Sequence, residues 1–196
     1  MADSLLAAPS ATPVASPLRP AYFIMAAAGL SVMVAAILGP SLWFLNFVHV
    51  MSGALWTGID LFMGFIVGPV LRRVSLDTRR AMIAGLMPRT LVLMPTISTM
   101  TSTAGWFLAV RLGFLKLGYP EFWWVIAALL IVTVLTVQGL GYLLPMNLKL
   151  YFEIQKPTPD YAKLGRWMKT YVRIVTIQGC MQVAIIVVMA RFATGL

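Results

Sequence analysis

The sequence predicts an all-α polytopic membrane bundle of five transmembrane helices, one N-terminal helix added to a four-helix core. Three observations predict it. Hydrophobic residues make up 60% of the 196 residues and charged residues only 11%, against about 25% charged in an ordinary soluble domain. Mean hydropathy is +0.89. The lysines and arginines behind the net charge of +9 sit at the ends of apolar runs, so the charge reads as a membrane topology signal and not as a nucleic-acid patch.

Residues 1–19, rich in Ala, Pro and Ser without apolar periodicity, read as a flexible tail, and 20–196 as one bundle domain. The run 21–38 is close to the minimum for a span of about 20 residues. A signal peptide is the rival reading, because Arg19 precedes a stretch rich in small residues; the run is nevertheless longer than the usual hydrophobic region of such peptides. The remaining helices are marked by proline or a capping residue. Pro40 opens the second (41–73), Ser75 or Asp77 caps the third (78–111), Pro120 opens the fourth (120–155), and Thr158 with Pro159 opens the fifth (159–193). Each of these four is about 50 Å long at 1.5 Å per residue, more than a ~30 Å hydrocarbon core, so they must tilt or project.

The tail, the second loop and the fourth loop, with their helix ends, carry Arg19, Arg72, Arg73, Arg79, Arg80, Lys149, Lys156, Lys163, Arg166 and Lys169. The opposite side carries Arg111, Lys116 and Arg191. The positive-inside rule then predicts a cytoplasmic N-terminus and an external C-terminus in a bacterial inner membrane. Trp43, Phe44, Tyr119, Phe122, Trp123 and Trp124 mark the outer interface, and Tyr151, Phe152, Tyr161 and Trp167 the inner one. A lone cysteine, Cys180, excludes an intrachain disulfide framework and a cysteine zinc cluster.

Ionisable groups at membrane depth point to function. His49, the one histidine, and Asp60 share the second helix. With Gly53, Trp56, Gly64 and Gly68 they fall on one broad small and polar face. A single histidine excludes a bis-histidine haem or multi-histidine copper centre built from one chain. His49 reads as an imidazole bonded across helices, or as an axial haem or copper ligand, with Gly53 one turn away leaving room for a flat macrocycle. Met100, Met181 and Cys180 are the sulfur candidates for a second ligand, or a homodimer could bring two His49 side chains to one haem. Eleven residues, about 16 Å of helix, separate His49 from Asp60. Counting depth from helix midpoints places Asp60 within about 4 Å of the levels of Arg89 and Arg173, which predicts an ion pair. That cluster could instead anchor haem propionates or a quinone. Pro88 and Pro95 are followed by Thr96, Ser98, Thr99, Thr101, Ser102 and Thr103. These hydroxyls can repair backbone groups or line a polar cavity with Gln138, Gln178 and Gln182. Gly64 and Gly68 read as a close helix-packing motif.

His49, Trp56 seven residues on, Gly58 and a terminal Gly68-Pro69 followed by arginines resemble the first core helix of the copper-resistance D-like membrane proteins and of the HemJ-type protoporphyrinogen oxidases. Met87-Pro88 with the stretch 95–105 is similar to their second core helix, and 166–191 to their last; the likeness covers about residues 41–193. It implies a four-helix core and haem b ligation by His49. The lysine that the HemJ-type enzymes carry in the third core helix has no counterpart between Phe122 and Tyr142, which argues against protoporphyrinogen oxidation. The outer face lacks the clustered histidines and methionines of soft-metal delivery, which argues against copper transport. The expectation is therefore a haem b electron-transfer protein, with Asp60, Arg89 and Arg173 orienting the haem or a quinone and with an external cytochrome as a further partner. The alternatives are an accessory subunit of a larger membrane assembly and a copper-handling permease.

Overall fold

In the computed structural model, which describes residues 18–156 and 158–195, five helices are long and apolar enough to cross a membrane. They are α1 (Pro20–Leu38), α2 (Leu42–Arg73), α3 (Leu76–Arg111), α4 (Phe122–Ile154) and α5 (Tyr161–Ala193), with a 3-10 turn at Phe114–Lys116. The described residues contain no strand. This is an integral membrane helical bundle, as the composition predicts. Residues 1–17 of the expected tail lie outside the described residues.

Caps set the starts of three helices. Ser41 Oγ accepts from Phe44 N at 3.2 Å, Ser75 Oγ from Thr78 N at 3.3 Å, and Asp160 Oδ1 from Lys163 N at 2.9 Å. The fifth helix thus begins two residues later than Thr158-Pro159 suggests, because the Asp160 carboxylate, not Thr158, takes the free amide of the first turn. Two helices contain a π turn, Met63–Val67 in α2 and Val137–Leu143 in α4. Each ends within two residues of a proline, Pro69 or Pro145. A proline has no N–H and its ring crowds the carbonyl four residues back. The wider turn relieves both, with Gly68 N bonding Met63 O and Leu144 N bonding Gly139 O.

Packing builds three buried layers along the bundle. Met33, Ala36, Leu45, Val48, Ala104 and Leu108 join α1, α2 and α3 at the aromatic end. Trp56, Ile97 and Leu135, with Met181, fill the middle. Met87, Leu91, Leu150 and Tyr151, with Leu164 and Trp167, close the basic end. Most other large apolar side chains, among them Phe65, Leu130 and Val187, face outward, as suits a lipid solvent in which burial between helices brings little hydrophobic gain. Gly64 and Gly58 have open space where a Cβ would stand, and a Cβ on Gly68 would meet its own helix at Met63 O. Among the described residues, Gly64 and Gly68 therefore make no close approach to another helix. Gly29 does so instead, admitting Met100 Sδ of α3 to 3.2 Å from its missing Cβ position.

Candidate functional site

His49 leans from α2 onto α3. Its Nδ1 lies 2.9 Å from the Thr101 carbonyl oxygen. A peptide carbonyl only accepts, so Nδ1 carries the proton and Nε2 keeps its lone pair in the neutral ring. Thr101 O already receives a helical N–H from residue 105, and the imidazole reaches its second lone pair because residue 105 is glycine. A Cβ there would lie 2.6 Å from His49 Cε1 and 2.8 Å from Nδ1. Thr101 also holds the neighbouring turn of α2, its Oγ1 donating to Ser52 Oγ at 3.0 Å, while Ser52 Oγ turns back to Val48 O at 2.7 Å. Among the described residues no hydrogen bond reaches Nε2, and it is not one of the enclosed unpaired side-chain atoms.

The sulfur candidates do not gather at this nitrogen. Met100 faces Gly29 of α1. Met181 packs with Trp56, Ile97 and Leu135, and Trp56 is seven residues, about 10 Å of helix, from His49. Cys180 is exposed. Gly53 has its open side filled by Thr101 Cγ2, 3.3 Å from where a Cβ would stand, so its role is close approach of α2 to α3 and not a berth for a macrocycle. Among the described residues no group of three His, Cys, Asp or Glu side chains could hold a metal by itself.

Asp60 belongs to a second site. Gln178 and Gln182, one turn apart on α5, each donate Nε2 to Asp60 Oδ2 at 2.8 Å, and the Trp56 indole is a further hydrogen-bond neighbour of the carboxylate. The expected arginine pairing is replaced by these amides. Register is the physical reason. Asp60 lies level with residues 178–182 of α5, so Arg173 falls about 10 Å toward the basic end, where it is exposed. Arg89 bonds Gly85 O of its own helix, and its guanidinium stands 5.8 Å from the ring centre of Tyr22 on α1. There it ends an apolar groove of about 490 Å³ between α1, α2 and α3, lined by Gly29, Leu55, Thr96 and Met100 among others; His49 does not line it. Ion pairs form instead at the basic end, where Glu153 holds Lys156 at 2.8 Å and Lys163 at 3.5 Å.

The hydroxyls of α3 mostly bond their own helix. Thr90 reaches Leu86 O and Met87 O, Thr96 reaches Val92 O, and Ser98 reaches Pro95 O. Thr101 is the member of that run seen to bond another helix. Sequence reasoning missed Thr101 O and Gly105 as the seat of His49. It placed Gln178 and Gln182 in a polar cavity without linking them to Asp60, although two glutamines one turn apart in an apolar helix are a readable signal for a buried polar partner. Compared with known proteins, the chain matches no family model, and no curated protein or solved structure is significantly similar to it.

Proposed function

We propose that this integral membrane protein holds a haem b through Nε2 of His49 and serves electron transfer on the outer side of an energy-coupling membrane. The observation that carries the reading is the 2.9 Å bond from Nδ1–H to the Thr101 carbonyl. Histidines that bind metals almost always donate their other ring N–H to a carbonyl or carboxylate, which fixes the tautomer and ring plane and raises the basicity of the ligating nitrogen. The resemblance of the His49 to Pro69 helix to the HemJ-type proteins points the same way. His49 would hold the haem as the one ligand from its chain, or share it with the His49 of a second copy, because Met100, Met181 and Cys180 lie elsewhere. Haem supplies one-electron chemistry; the residues of this chain supply the ligand, its orientation and the low-dielectric surroundings that set the potential. A quinone partner would find its place in the α1–α2–α3 groove that ends on Arg89. The predominance of basic residues at the end where α1 and α3 begin supports a cytoplasmic position for that end.

Purified protein should show a Soret band that His49→Ala abolishes while the variant keeps its thermal unfolding temperature within a few degrees. A wild type expressed and purified with haem in excess that shows no Soret band would refute the reading. The accessory-subunit alternative draws on a different observation, the open face of α2 at Gly58, Gly64 and Phe65, which leaves room for a further helix. A monomeric mass after mild solubilisation would count against it. Copper handling has one unpaired imidazole nitrogen and no gathered sulfur to draw on.

A further inference from the structure

The layer around Asp60 is rich in acceptors and poor in positive charge. Gln178 and Gln182 turn their N–H groups to Asp60 Oδ2, and this fixes the orientation of both amides, since a carboxylate oxygen cannot donate to an amide oxygen. The two side chains are only 3% and 1% exposed, yet Oε1 of each has no hydrogen-bond partner, and neither does the enclosed Oε1 of Gln138. Gln138 follows Leu135 by three residues on α4, and Leu135 packs with Trp56 and Met181, so all three amides belong to one level. Unpaired buried acceptors and an unbalanced carboxylate are both costly, and a group that supplies positive charge relieves both at once.

We propose that Asp60, Gln138, Gln178 and Gln182 form an intramembrane site for a small hard monovalent cation of the sodium class. Carboxylate and amide oxygens are the donors such ions prefer. The single negative charge suits a monovalent ion, because a divalent one would leave a net positive charge at membrane depth. Both π turns border this layer: Met63–Val67 begins three residues after Asp60, and Val137–Leu143 contains Gln138. Such turns occur frequently at functional sites, where they re-aim side chains. A polar line continues along the α4–α5 seam through Tyr171, whose hydroxyl accepts from Asn147 Nδ2 at 3.5 Å, toward Glu153 at the basic end. The other titratable or charged side chains near this level are Tyr171, the exposed Cys180 and the exposed Arg173 on α5; Arg89 of α3 is turned to α1. The proposal is independent of haem at His49.

The test uses the full-length protein in detergent with sodium, potassium or choline chloride at equal ionic strength. Sodium should raise the unfolding temperature saturably above the choline baseline and shift the carboxylate infrared bands. Where protons compete with sodium for Asp60, the half-saturating sodium concentration should rise about tenfold for each unit by which the pH falls. Asp60→Asn should remove the sodium response and Gln182→Leu should weaken it. A larger response to potassium would support the site with a larger occupant. Equal unfolding curves and unchanged infrared bands in all three salts, the result for a layer filled by water alone, would overturn the proposal, as would an undiminished sodium response in Asp60→Asn. If that variant fails to fold, the wild-type infrared comparison decides.

Discussion

Gly105→Ala is expected to displace His49 and, on the proposed ligation of haem by its Nε2, to weaken haem retention by about 10–100-fold, the usual cost of losing an outer-shell partner of a ligating histidine. The added methyl would stand 2.6 Å from Cε1 and 2.8 Å from Nδ1, well inside van der Waals contact. The opposing atoms belong to a ring held by its own hydrogen bond, so the ring must leave Thr101 O or α2 must move off α3. Overpacking of this kind costs about 1–3 kcal/mol in a packed interior. Haem titration followed at the Soret band, together with thermal unfolding, separates loss of the ligand from loss of the fold. Unchanged haem affinity in Gly105→Ala would show that the Thr101 bond does not prepare the ligand.

Asp60→Leu should destabilise the bundle more than any other single change in its middle layer. The substitution removes the acceptor of two buried amide donors, and each donor left unsatisfied costs about 1–3 kcal/mol. These bonds also tie α5 to α2 at the middle of the bundle. Asp60→Asn retains a carbonyl acceptor and should lose less. The triple variant Asp60→Leu, Gln178→Leu, Gln182→Leu should recover most of the stability, since removing the carboxylate together with both glutamines leaves neither amide donor unpaired. A triple variant less stable than Asp60→Leu would show that the polar layer stabilises the fold through something other than these bonds. Thermal unfolding in one detergent is sufficient to rank the four proteins.

Much of the fold was legible because lipid imposes simple rules. Long apolar runs, Pro40 and Ser75 before them and basic residues at their ends give helices and boundaries with errors of one or two residues. The separation of His49 from Asp60 was legible too, since both lie on one helix with a fixed rise. Register between helices was not. Counting depth from helix midpoints treats every helix as centred in the membrane, and that assumption placed Asp60 beside Arg173 instead of beside Gln178 and Gln182. Contacts to the main chain were also hidden. Thr101 receives His49 through its carbonyl, a group every residue has, and Gly105 contributes by lacking a side chain within a run that reads as hydroxyl-rich. The π turns follow from Pro69 and Pro145, but Pro88 and Pro95 lie inside an uninterrupted α3, so proline alone does not announce them.

The protein contains one histidine, so ¹⁵N labelling of histidine yields ring signals from His49 alone. The apo protein should show a protonated Nδ1 and a non-protonated Nε2. Addition of haemin should then shift or broaden the Nε2 signal while Nδ1 remains protonated. A proton on Nε2 in the apo protein, or ring signals that ignore haemin, would contradict ligation by His49.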